Sequence, residues 1–90
     1  MGTTSKLEEK LIELGYEYEY FESYIKHFNR FVKIDINLTI DKEKINCFSV
    51  EYDACHFTRQ KQIDNLQQAF DVMTRDLEIL KEYENEQVGR

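Results

Sequence analysis

Four side chains in this ninety-residue chain have the chemistry to ligate a soft metal or attack an electrophile: Cys47, Cys55, His27 and His56. Their spacing argues against both. Structural zinc takes close cysteine pairs, with a second matching pair of ligands. Here the cysteines stand eight positions apart, and Cys55 and His56 are adjacent, which makes joint chelation awkward. A cysteine nucleophile needs a base within hydrogen-bond reach and an electropositive setting. Cys55 and His27 would pair only if the strand carrying His27 ran beside the loop carrying Cys55. The three glycines, at 2, 15 and 89, build no glycine-rich turn that could hold an oxyanion. Carboxylates are abundant, but hydrolytic carboxylate pairs must face each other across a cleft, which a chain this short rarely forms. There is no P-loop, no G-x-G-x-x-G and no H-E-x-x-H, and 35–43 lacks the glycine and the spaced carboxylates of a calcium loop. No catalytic residue, metal ligand or cofactor is therefore assigned, and the chain is expected not to be an enzyme.

Its surface carries more information. Twelve basic against eighteen acidic residues leave a net charge of −6 at pH 7. Binding to nucleic acid draws most of its affinity from neutralised phosphates, so an acidic chain is a poor direct DNA or RNA binder. The acids cluster. Between 8 and 22 there are six (Glu8, Glu9, Glu13, Glu17, Glu19, Glu22) against the single base Lys10. Between 76 and 86 there are five (Asp76, Glu78, Glu82, Glu84, Glu86) against Lys81. Such faces ordinarily keep a protein soluble. The functional expectation is an acidic docking surface that steers onto a basic protein, sharpened by the interleaved Tyr16, Tyr18, Tyr20 and Tyr24, since tyrosine is enriched at interfaces. The expected contacts are Glu17, Tyr18, Glu19, Tyr20 and Glu22, with Glu82 and Glu84 secondary.

These residues need elements to position them. Ser5 and Glu8 form a capping box that starts a helix over 6–14. Leu7, Leu11 and Leu14 repeat along it, and Gly15 stops it in a left-handed conformation, with Tyr16 packing back on Leu11. Residues 16–29 read two ways: the alternation of Tyr16, Tyr18 and Tyr20 suits a strand, whereas Phe21, Tyr24, Ile25 and Phe28 fall at helical spacing. The β-propensity of their content favours a strand over 19–28, closed by a turn at Asn29-Arg30. Val32, Ile34, Ile36, Leu38 and Ile40 alternate with polar residues and predict a strand over 31–40 with one wet face. A charged turn, Asp41-Lys42-Glu43-Lys44, leads to a strand over 45–53 with Phe48, Val50 and Tyr52 inward. After a short loop, Ile63, Leu66, Phe70, Met73, Leu77 and Leu80 repeat at spacings of three and four, predicting a helix over 59–84.

The predicted fold is α+β, in the order α-β-β-β-α: a three-stranded antiparallel meander with the long C-terminal helix packed on one face. The chain is expected to form a single domain over 1–90, ordered over about 5–84. It has no run of eighteen apolar residues and no apolar segment near its start. It is accordingly expected to be soluble and cytoplasmic, with reduced thiols and no membrane contact. The heptad-spaced stripe leaves two states open, a monomer with the stripe buried on its own sheet or a structural or regulatory homodimer assembled through the helix.

In element order the chain resembles the double-stranded-RNA-binding domain, but the lysine-rich motif that opens that family's last helix is replaced here by Thr58-Arg59-Gln60-Lys61-Gln62. A direct role on RNA is rejected on that difference and on the acidic balance. The proline-free composition, rich in Lys, Glu, Ile, Asn and Tyr, and the stretch FTRQKQIDNLQQAFDVMTRDLEILKEY (57–83) resemble small uncharacterised phage and prophage proteins of low-GC Gram-positive bacteria. Several small acidic phage proteins bind and block host proteins, CRISPR effectors among them. The resemblance implies an inhibitor of that kind, acting in the host cytoplasm.

Overall fold

The computed structural model describes residues 5–52 and 58–84. In chain order the elements are α1 (Lys6–Glu13), β1 (Glu17–Tyr18), β2 (Ser23–His27), β3 (Val32–Leu38), β4 (Ile45–Tyr52) and α2 (Arg59–Lys81). The fold is α+β. Four strands, each antiparallel to the next, form a meander in the order β1-β2-β3-β4, and α2 lies over β3 and β4. The expected three-strand count is corrected to four.

α1 starts and stops where its sequence signals stand. Ser5 Oγ accepts from the amide of Glu8 at 3.0 Å, one half of the capping box. The carboxylate of Glu8 turns to Tyr24 Oη and Lys42. Gly15 takes φ +104°, its amide bonds Ile12 O at 3.0 Å, and the amide of Tyr16 bonds Leu11 O at 3.0 Å. This pair of bonds is the Schellman ending, and it delivers Tyr16 into the core beside Leu7 and Leu11.

The fourth strand comes from 16–29, where one strand over 19–28 is expected. Instead the chain forms β1, a turn and β2, with Glu17 opposite Ile25 and Tyr18 opposite Tyr24. The turn is Tyr20-Phe21-Glu22-Ser23, closed by Ser23 N to Tyr20 O at 2.9 Å, with φ of 50° at Phe21 and 59° at Glu22. Two positive φ angles make a type I′ hairpin turn, which usually carries Asn or Asp followed by Gly. Here the backbone of β3 holds it, since the amide of Leu38 bonds Glu22 O at 3.0 Å.

β3 alternates strictly: Val32, Ile34, Ile36 and Leu38 are buried and the residues between them are half-buried. The strand ends at Leu38. Ile40, expected inward, lies in the following turn and is 88% exposed. β4 pairs with β3 along its length, with Ile36 opposite Phe48 and Leu38 opposite Ile45, and a register shift leaves Asn46 as an extra residue. Val50 packs against the core. Phe48, expected to be inward, is 50% exposed because β4 is the outermost strand.

α2 is about 35 Å long, against about 27 Å for β4. Its buried line is Ala69, Met73, Asp76 and Leu80. That line is rotated by about 60° from the centre of the expected stripe, at 100° per residue. Met73 and Leu80 are buried in the core and Leu66 is half-buried, whereas Ile63 and Phe70 stay about half exposed. The rotation places a carboxylate in the core. Asp76, expected on the acidic surface, is 5% exposed. It accepts from Tyr16 Oη at 2.8 Å and pairs with Lys26 Nζ at 3.0 Å, which satisfies its buried charge. Among the described residues, no helix is long and apolar enough to cross a membrane.

Candidate interaction surface

The β1–β2 hairpin brings the first group of expected contacts together. Glu17, Tyr18, Glu19 and Tyr20 are all exposed, on one outer strand and the turn that follows it. Among the described residues, neither Glu17 nor Glu19 makes an ion pair. Their charge therefore faces solvent uncompensated at contact distance. Tyr18 packs edge-on against Tyr24, with ring centroids 5.3 Å apart, and Tyr20 packs edge-on against Phe21 at the same distance. Phe21, at the turn, is 80% exposed. Phe21 falls inside the strand expected over 19–28 and is not among the expected contacts, because nothing in its spacing marks the turn.

Beneath this surface lies one lysine. Lys42 Nζ is 3.8 Å from the carboxylate of Glu8 and 3.9 Å from that of Glu22. It is also 3.4 Å from Tyr24 Oη and 4.9 Å from the ring centre of Tyr18. Glu22, an expected contact, is thus half-buried and engaged inside the fold. Ser5 Oγ donates to the carbonyl of Lys42 at 2.6 Å, so the residue also anchors the start of α1. Lys42 stands at φ 59° in the 39–44 turn, and its role depends on contacts across the chain that spacing does not reveal.

Burial is the first reason that the Tyr24 and Tyr16 hydroxyls hold their protons above the ordinary tyrosine range; the hydrogen bonds to Glu8 and Asp76, respectively, are the second. Both phenols therefore stay neutral donors at physiological pH, locking β2 to α1 and the start of the hairpin to α2.

The secondary contacts lie elsewhere. Glu82 and Glu84 follow α2, beside Ser5 and Lys6 at the start of α1. Glu82 is exposed, whereas Glu84 accepts from the amide of Ile45 at 2.7 Å and caps the start of β4. Of the soft ligands, Cys47 is exposed on β4 and His27 is exposed at the end of β2. Cys55 and His56 lie outside the described residues, as does Glu86. Among the described residues, no three His, Cys, Asp or Glu side chains are placed to hold a metal ion. Compared with protein families, with curated proteins and with solved structures, the chain gives no match.

Proposed function

We propose that this is a non-catalytic, phage-type binding protein that docks on a basic surface of a host protein and blocks it. The observation that carries the proposal is the hairpin: two unpaired carboxylates and three exposed aromatic rings share one outer strand and its turn. Rigid aromatics supply contact area at little entropic cost, and carboxylates steer them onto a positive patch. The turn supports the same idea. It keeps Phe21 and Glu22 in the left-handed region, which costs roughly 1–2 kcal/mol per residue, where Asn-Gly would relieve the strain. Glu17, Tyr18, Glu19 and Tyr20 make the contact, Glu22 braces it from below, and Glu82 and Glu84 form a second, weaker acidic area.

A host-defence protein that binds nucleic acid, such as a CRISPR effector, is the most specific candidate partner. Its nucleic-acid groove offers the basic surface that this hairpin fits, and an acidic occupant there competes with nucleic acid. The test compares the wild type with Glu17→Lys/Glu19→Lys against a purified effector, at low and at high salt. The charge reversal should abolish binding, and salt should weaken the wild-type complex, because exposed charges are screened beyond about 8 Å at physiological strength. A complex that ignores both changes would exclude docking through the hairpin.

A further inference from the structure

The opposite edge of the sheet is built differently. Sheet edges expose unpaired amides and carbonyls, and natural proteins guard them with charge, proline, shortness or a covering element. β4 is eight residues long, and from Ile45 to Val50 it has neither a charge nor a proline, in a chain that is 33% charged. Glu84 takes the amide of Ile45, and among the described residues no strand pairs with the outer side of β4. Beside it runs a groove of about 350 Å³ between β4 and α2, lined by Ile45, Phe48, Thr74 and Leu77, with Glu78, Lys81 and Glu84. Phe70, one turn before Thr74, is 50% exposed and Ile63 47%.

We propose that this face joins two copies of the chain in a two-fold dimer. β4 pairs antiparallel with β4 of the second copy, and the two α2 helices lie side by side across the axis.

A second copy fits for three reasons. The first is distance. α2 lies over both β3 and β4, and strands are spaced about 4.8 Å apart. A two-fold axis at the β4 edge therefore sets the helix axes about 10 Å apart, which is where helices pack. The second is charge. Two copies at −6 each repel, so they can approach only through a neutral face. Ile45 to Val50 and the helix positions Ile63, Phe70, Thr74 and Leu77 supply one; of the charges beside it, Glu78 and Lys81 are of opposite sign, and Glu84 is engaged by the amide of Ile45. The third is symmetry. An antiparallel strand edge is its own complement, as a two-fold interface requires, and antiparallel helices set the Ile63–Phe70–Leu77 line of one against that of the other. A seam made by the helix alone would need Met73 and Leu80, which are already buried in the core.

Sedimentation at high-micromolar protein tests this, with Phe70→Glu and Phe48→Lys as variants. Both residues are half exposed, so the monomer fold should survive, as circular dichroism would check. The wild type should sediment at twice the monomer mass and both variants at the monomer mass. Should either variant unfold, Ile63→Glu, at a half-exposed position of α2, provides the same test. Raising salt should tighten this dimer by screening like charges while loosening the hairpin complex, so the two proposals fail separately. A wild type that stays monomeric, or a dimer that survives all the substitutions, overturns the inference.

Discussion

The two edges of one sheet solve the problem of unpaired backbone in opposite ways. At the β1 edge the strand is two residues long, its outward side chains are acidic, and the strained turn beyond it is held from below by Lys42 and Leu38. At the β4 edge the strand is long, straight but for the extra Asn46, and uncharged until Glu51. Under the two proposals, the first edge is the one that would meet a basic partner, since Glu17 and Glu19 make no ion pair among the described residues. The second is free of charge from Ile45 to Val50 and has an apolar flank that is half covered. On these two proposals, charge placement within a single small domain would separate a surface for a different protein from a surface for itself.

The largest expected effect comes from the core that both edges share. Leu80 is fully buried in it, and Leu80→Ala should cost about 2–5 kcal/mol. In urea unfolding, tyrosine fluorescence and far-ultraviolet dichroism should fall together. If the tyrosine signal moved first, the hairpin edge would be a separate unit.

Asp76→Ala comes next and strikes one edge only. It strips Tyr16 and Lys26 of their shared acceptor and should cost about 2–3 kcal/mol, kept modest because Lys26 is partly exposed. Amide exchange should quicken in β1 and β2 more than in β4. This network and the one around Tyr24 and Glu8 together set an alkaline limit. Tyr16 and Tyr24 hold their protons above the ordinary value of 10.0. Their stabilising contribution is full below about pH 10 and is lost as pH rises beyond it. Stability that stayed flat through that range would contradict the buried phenols.

A smaller effect should have the opposite sign. Phe21→Asn with Glu22→Gly gives the I′ turn the residues it prefers and should stabilise the fold by about 1 kcal/mol, while partner affinity drops. A gain in stability with affinity unchanged would remove Phe21 from the contact. The smallest is Ser49→Lys on the exposed face of β4. Monomer stability should move by less than about 0.5 kcal/mol, yet the sedimenting mass should halve.

Local signals made much of this fold legible. Ser5, Glu8 and Gly15 bracket α1 because caps and stops act within a few residues, and the alternation from Val32 to Leu38 marks β3 because one face is buried. Residues 16–29 were opaque for a physical reason: the hairpin turn has none of the residues that usually announce one, and β3 supplies its stability from a distance. The rotation of α2 was hidden because an apolar stripe cannot weigh a carboxylate whose partners, Tyr16 and Lys26, lie in other elements. The acidic hairpin was readable as a neighbourhood, since its members are adjacent in the chain. Phe21, Lys42 and the bare β4 edge became visible only once strands were paired.

Lys42 ties together parts of the molecule that otherwise have little in common. Its carbonyl restrains the Ser5 hydroxyl that caps α1, and its ammonium restrains Glu22 and the Tyr18 ring. A ligand that tugs on the hairpin would therefore pull on the first turn of α1 by two routes, through Lys42 to Ser5 and through Tyr24 to Glu8. The backbone amide of Glu8, held by Ser5, thus becomes a remote gauge of occupancy, readable by isotope exchange before the ligand's own footprint has been mapped.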